Sequence, residues 1–299
     1  MSRYLAPAGL EEALVALAGG ARPVAGGTDL VVGVRQGRFP IPDDLVAIHR
    51  LAGFRGIAEG ADGGLVIGAG TSHAEIVAHP RVTRDWTGLA DASAIVGSPA
   101  TRATGTLGGN VANASPAADT VAPLLCADAV IVCRSTAGER RLPLDGFATA
   151  PRRTLLRPDE LIVAVELPAP APGSASCYVR LEHRRQMEIA IVGAGALLRL
   201  EGGRVTAARV AMTALAPTVR RVPEAERILL GSDGGAAAVT AAAEAVAAAA
   251  TPIDDTRASA AYRRAMAAVV TRRAIGGALA RARGETVTIP ASDTLFGAA

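Results

Sequence analysis

A run of proline, alanine, glycine and serine, PAPAPGSAS at residues 168–176, sets the outline of any fold open to this sequence. Alternating prolines fix φ and withhold amide donors, so neither a helix interior nor a central strand runs through it. It reads as a connector between two folding units. The 299 residues fit that division, since roughly 100–200 residues make one domain. Ahead of the connector, Leu10, Leu14 and Leu17 at i, i+4 and i+7 predict a helix over Leu10–Ala18, closed by Gly19-Gly20. Residues 23–25, 45–48 and 65–67 are short strand candidates, and residues 30–34 fit a helix or a strand. Residues 71–75 predict a side-chain-capped helix start, with the helix ended by Pro80, and residues 89–95 are helical. Residues 104–119 lack an apolar period and predict a long functional loop. Residues 129–133 and Leu161–Leu167 read as strands. Behind the connector, residues 190–200 and 205–215 predict a hairpin turning at residues 201–204. Residues 235–250 predict a small-residue helix and residues 254–283 a long one. No solenoid repeat is present.

Composition removes several function classes. One Trp, three Tyr and four Phe leave too few aromatic faces for a stacking nucleic-acid binder. Basic residues outnumber acidic ones 31 to 28, yet every basic side chain is Arg and none is Lys. A Walker A phosphate loop and a Schiff-base enzyme both need Lys, so both are excluded. The arginines are spread along the chain, which argues against a nucleic-acid surface. Cys126, Cys133 and Cys177 have no CxxC spacing and cannot by themselves hold an iron–sulfur cluster or a four-thiolate zinc. His49, His73, His79 and His183 lack metal-ligand spacing and read as ordinary, partly exposed histidines. Residues 1–14 lack the apolar core of a signal peptide, and no run approaches the ~20 apolar residues of a membrane span. The expectation is a soluble, cytoplasmic protein.

Two glycine-rich segments remain, AGGTDL at residues 25–30 and GTLGGN at residues 105–110. Paired glycines let a backbone approach a ligand and aim successive N–H groups at an anion, and Thr28, Thr106 and Asn110 add polar groups beside them. Two such loops suggest a diphosphate held from two sides; ordinary turns explain the same glycines equally well. A Rossmann reading fails, because Gly68-Ala69-Gly70 and Gly193-Ala194-Gly195 lack the third glycine and read as packing glycines.

Together with ATGTLGGNVANASPAADT at residues 103–120, AGGTDL resembles the FAD-binding medium subunit of the molybdenum hydroxylases, the xanthine dehydrogenase and carbon monoxide dehydrogenase family. EEAL in the first helix, LVIGAGTSHAEI at residues 65–76, DELIVAVELP at residues 159–168 and DDTRASAAYRRAM at residues 254–266 carry the resemblance through nearly the whole chain. It implies an α+β protein. A two-lobed FAD-binding domain of the vanillyl-alcohol-oxidase type would occupy residues 1–170, with lobes of about 1–57 and 58–170. A smaller α+β domain of the carbon monoxide dehydrogenase flavoprotein type would occupy residues 171–290.

The resemblance also implies roles. Pro23, Val24, Ala25, Gly26, Gly27, Thr28, Asp29 and Leu30, with Thr104, Gly105, Thr106, Gly108, Gly109 and Asn110, would wrap the FAD diphosphate with backbone amides, and Ser115 joins the cofactor-binding set. Asp119 would accept hydrogen bonds from flavin or ribityl groups, and Ile162 would pack on the cofactor. Tyr178 would stack, half-exposed, on the isoalloxazine or serve as a core or hinge tyrosine. Arg180 stands where the family commonly has Lys and keeps a cation near the flavin. Arg184-Arg185-Gln186-Met187-Glu188 departs from the more acidic family pattern. No catalytic residue and no metal are implied for this chain. The implied partners are a large subunit with a molybdopterin-type molybdenum cofactor and a small subunit with [2Fe–2S] clusters, in a dimer of heterotrimers. Electrons would reach FAD from those clusters and leave to an external acceptor. A free-standing flavin-dependent oxidoreductase acting on a small molecule and a scaffold that has lost its cofactor are the competing readings.

Overall fold

A computed structural model describes residues 3–295; Met1 and Ser2, which open the stretch read for a leader, and residues 296–299 lie outside the described residues. The chain begins with β1 (Arg3–Leu5), α1 (Leu10–Ala18), β2 (Arg22–Val24), α2 (Leu30–Arg35) and β3 (Asp44–Ala47). The three strands are parallel in the order β1-β3-β2. Leu14 and Leu17 are buried on α1, as their spacing requires, and Gly20 leaves the helix with φ +93°. Residues 30–34 resolve as helix.

A second sheet follows, mostly from residues beyond 57. Its strands are β4 (Ile57–Glu59), β5 (Leu65–Gly68), β6 (Val130–Ser135), β7 (Gly138–Pro143) and, after a small hairpin β8 (Ala148–Ala150) and β9 (Arg153–Thr154), β10 (Leu161–Leu167). They pair antiparallel in the order β4-β5-β10-β6-β7. Between β5 and β6 lie α3 (His73–Ala78), α4 (Pro80–Asp85), α5 (Thr87–Ala94), α6 (Pro99–Thr104), α7 (Leu107–Asn113) and α8 (Val121–Cys126). Ser72 caps α3: its hydroxyl accepts from the Glu75 amide while the Glu75 carboxylate accepts from the Ser72 amide. Pro80 ends α3 and opens α4 at its first position. Residues 104–119 are not a continuous loop, because α7 forms within them.

After the connector, β11 (Ser174–Leu181), β12 (Val192–Glu201), β13 (Arg204–Thr213) and β14 (Arg220–Arg221) make an antiparallel meander. Gly202 and Gly203 both hold positive φ, the two-residue turn that matches strand twist. Then come α9 (Pro223–Leu229), α10 (Ala236–Ala249), α11 (Ala260–Ala282) and α12 (Ala291–Leu295). The long helix begins later than residue 254, at a cap where Ser259 Oγ accepts from the Tyr262 amide. Helix α11 lies on β11 and β12, and α10 lies on α11. Small residues permit this closeness: a Cβ on Gly277 would come within 2.6 Å of Cys177 Sγ.

The two parts of the chain are joined through buried charge. Asp91 on α5 receives both arms of Arg281 on α11, at 2.6 and 2.9 Å, and the backbone amides of Tyr178 and Ala291. Gly68, Gly70, Gly193 and Gly195 are packing glycines, since an added Cβ would meet Phe54, Phe54, Tyr178 and the Ala122–Pro123 backbone respectively. Among the described residues no helix is long and apolar enough to cross a membrane, and no group of three or more His, Cys, Asp and Glu could hold a metal ion. The three cysteines are free and buried.

Candidate cofactor-binding site

Far apart in sequence, the two glycine segments touch. A Cβ on Gly26 would lie 1.8 Å from the Thr104 carbonyl oxygen, so only a residue without one permits the approach. A Cβ on Gly105 would stand 3.5 Å from Thr28 Oγ1 and 3.5 Å from His73 Cδ2, which places those two side chains around the same glycine. Pro23 and Val24 end strand β2, Ala25–Asp29 form the turn, and Leu30 opens α2. Gly27 holds φ +69°, the left-handed conformation that turns the chain into α2.

Hydrogen-bond accounting separates the two segments. Among the described residues, the N–H groups of Gly26, Gly27, Thr28 and Asp29 donate to no atom of the chain. Consecutive unpaired amides around a left-handed residue form a concavity suited to an anion. In the second segment most amides are already engaged. His73 donates to the Gly105 carbonyl, Leu107 to Thr71 and Gly108 to Ala69, at 3.2, 3.0 and 2.9 Å. Gly109 donates to the Thr106 hydroxyl and Asn110 to the Thr106 carbonyl. Among the described residues that leaves the Thr106 N–H open. The Asn110 side chain accepts from Thr120 Oγ1 at 2.8 Å. Ser115 accepts from the Ala117 amide and lines a separate cavity of about 120 Å³ with Val111, Phe147 and Val219.

A buried polar network stands behind the second segment. The Asp119 carboxylate accepts from the Tyr178 hydroxyl at 2.7 Å and from Arg180 Nη1 at 2.7 Å. Arg180 also pairs with Glu182, and its Nε has no partner among the described residues. Burial and the Asp119 carboxylate push the Tyr178 phenol well above its usual range, so it is a donor at every working pH. Arg180 remains charged, because Asp119 and Glu182 outweigh the cost of burying it.

Burial decides between the two readings of Tyr178. Tyr178 is wholly buried, not half-exposed, so its ring presents no face for stacking. Each Asp119 oxygen accepts one hydrogen bond, from Tyr178 or from Arg180, and keeps a lone pair for a further donor, and Ile162 is buried on β10. Strand β11 is covered on both faces, by α11 on one side and by α5 and α8 on the other. Successive residues Cys177, Tyr178, Val179 and Arg180 are therefore all inside.

His73 was expected to be ordinary and partly exposed; it is 2% exposed, whereas His49 and His183 lie at the surface. Burial and the nearby Arg102 cation push its imidazole down to about 4. His73, Arg102 and Glu182 carry no spacing signature, so sequence reasoning had no means of selecting them.

Known proteins share this architecture. Residues 1–170 match the family model described as FAD binding domain in molybdopterin dehydrogenase, and residues 178–278 match the CO dehydrogenase flavoprotein C-terminal domain. The xanthine dehydrogenase FAD-binding subunit of Escherichia coli O157:H7 is 33% identical over 208 residues, covering 69% of this chain and 71% of that protein. The carbon monoxide dehydrogenase medium chain of Hydrogenophaga pseudoflava is 35% identical over 232 residues, covering 76% and 79%. A solved structure of carbon monoxide dehydrogenase from Hydrogenophaga pseudoflava superposes with a TM-score of 0.90 at 35% identity, covering 94% of this chain and 98% of that one. Quinoline 2-oxidoreductase from Pseudomonas putida 86 gives a TM-score of 0.87 at 29% identity, covering 98% and 99%.

Proposed function

Because this chain belongs to the family of FAD-binding subunits of the molybdenum hydroxylases, we propose that it is the electron-transfer station of a heterotrimeric enzyme and does not itself touch the organic substrate. The observation that carries the reading is the junction of the glycine segments, where Gly26 packs against Thr104 and the Gly26–Asp29 amides point at no protein acceptor. That set of donors fits the oxygens of a dinucleotide diphosphate. Bound FAD supplies redox exchange between [2Fe–2S] clusters of a small partner subunit and an external acceptor.

The chain's own residues bind and orient. Gly26, Gly27, Thr28, Asp29 and the Thr106 amide hold the diphosphate, and Gly105 keeps the two segments in contact. Asp119, Tyr178 and Arg180 act from behind: they fix the second segment through the adjacent Thr120, whose hydroxyl holds Asn110. A large subunit with a molybdopterin-type molybdenum cofactor oxidises the substrate, and the complex is a dimer of heterotrimers.

Neither glycine segment contains His or Cys, so the flavin is held non-covalently. Acid precipitation of the purified chain should release about one FAD per polypeptide. Dye reduction with substrate should require the reconstituted complex. Full turnover by the isolated chain would overturn the subunit reading in favour of a free-standing oxidoreductase.

A further inference from the structure

We propose that His73 is a binding residue of the flavin site, its neutral imidazole donating a hydrogen bond to a diphosphate oxygen of the nucleotide. The inference rests on the FAD-binding reading above and adds a side chain to a cradle otherwise made of backbone. Three observations converge on it. The ring is buried and neither nitrogen has a hydrogen-bond partner among the described residues; Nδ1 is enclosed, so Nε2, next to the Cδ2 edge that faces Gly105, is the nitrogen left to donate. Its backbone is pinned to the site: the His73 amide donates to the Gly105 carbonyl, and Ser72 bridges to Thr106. The ring edge lies beside Gly105, the glycine that Thr28 Oγ1 also approaches.

Buried polar groups in folded proteins are nearly always hydrogen-bonded, so an unpaired buried imidazole needs an explanation. Packing alone does not give one. The residues around it in the chain that are equally buried, Ala69, Ile76 and Leu107, are apolar and leave no such group unmet. A neutral imidazole always carries one N–H, which suits an anionic oxygen, and the cation of Arg102 on α6 acts on the same space. Burial and Arg102 keep the ring neutral through the physiological range, so the donor is present without a proton being taken up.

The test uses the full chain and compares wild type with His73→Met and His73→Gln, titrated with FAD and with riboflavin, which has no phosphate. His73→Met should weaken FAD binding about tenfold or more, the effect of losing one hydrogen bond to a charged group. His73→Gln should recover most of the loss. The unfolding midpoint of the FAD-free His73→Met protein should stay level or rise, because an unmet polar group has been removed. Riboflavin should bind wild type and His73→Met alike; a loss of the same size with riboflavin would overturn the diphosphate assignment. FAD binding by His73→Met within twofold of wild type would mark the histidine as core packing and nothing more. Should His73→Met not fold, ¹⁵N spectra of the four histidines of the wild-type chain decide the matter: FAD must shift the His73 ring signals, and unmoved signals refute the proposal. Failure of the wild type itself to bind FAD would strike the underlying reading instead.

Discussion

Replacing Gly26 with Ala tests whether contact between the two glycine segments makes the site. The new Cβ would sit 1.8 Å from the Thr104 carbonyl oxygen and 2.5 Å from its carbon. Neither obstacle is a flexible side-chain end. The segment after Thr104 is fixed, because Gly105 donates to Thr101 at 2.7 Å and accepts from the His73 amide. Gly26 is fixed from its own side by strand β2 and by the Val31 amide on the Gly27 carbonyl. One backbone must therefore retreat by about 1 Å or more to restore an ordinary contact. Overpacking of this kind costs about 1–3 kcal/mol in the FAD-free protein. The same displacement pulls amides off the diphosphate, and each charge-assisted hydrogen bond lost is worth about 1.5–3 kcal/mol, or tenfold and upward in affinity. Two controls set the scale. Gly27→Ala meets only Val31 Cγ2 at 3.5 Å and Val24 Cγ2 at 3.7 Å, so its cost is the positive φ, about 1–2 kcal/mol. Gly109 has no positive φ, and its Cβ would stand 2.9 Å from Thr106 Oγ1, the hydroxyl that caps α7. Gly109→Ala should cost no more than the loss of that cap, about 1 kcal/mol, and less than Gly26→Ala. FAD content per chain, flavin fluorescence titration and urea unfolding of the FAD-free protein measure the series. Equal FAD affinity in Gly26→Ala and wild type, or a loss in Gly109→Ala as large as in Gly26→Ala, would refute the reasoning.

Two further outcomes follow from the buried side chains. Burial pushes the Glu160 carboxyl up, but the Arg140 guanidinium and the Arg157 amide outweigh it and hold it below its usual value of 4.5. Its contribution is therefore present above pH 4.5 and fades as pH falls through the depressed folded value. Glu160→Gln should lose about 1–3 kcal/mol at neutral pH and show a flatter acid limb in urea unfolding; an unchanged acid limb would count against the pairing. Tyr178→Ala should cost about 3–5 kcal/mol of stability, since the side chain is wholly buried. Tyr178→Phe should cost about 1–3 kcal/mol through the donor lost to Asp119, and an Ala variant as stable as wild type would place the ring outside the core.

What the sequence made legible was local. Helix α1 follows from three leucines on one stripe, and the β12–β13 hairpin from Gly202-Gly203 between apolar runs. The glycine segments could be singled out because permissive backbone is visible as residue type. Helix α7 was not legible. LGGNVAN carries two glycines, each costing a helix about 1 kcal/mol relative to Ala. The helix stands because Thr106 caps it and residues 105–108 pair with residues 69–73, which are tertiary facts. Strand β11 left two readings open for a related reason: no alternation survives when both faces are covered, so the sequence could not choose between a ligand-facing and a core Tyr178.

The absence of Lys, first a matter of exclusion, acquires a structural sense at the boundary between the two halves of the chain. Arg281 gives Asp91 two parallel bonds and also reaches the carbonyls of Ser176, Val287 and Thr288. A single ammonium with three donors could not serve that set. Arg180 likewise spans Asp119 and Glu182 with separate nitrogens. Buried pairs of this kind are weak evidence for net stability, because desolvation offsets much of their attraction. Their geometry is nevertheless demanding: the Asp91–Arg281 pair ties α5 to α11 and β11, and the Arg180 pair ties β11 to the segment before α8. Since Asp119 adjoins Thr120, which holds Asn110, the contacts that set how the halves dock also set where the second glycine segment stands. If docking and the second glycine segment are linked through the Asp119–Thr120 step, Arg180→Met should lower FAD affinity, and an unchanged affinity with lowered stability would show the two to be independent.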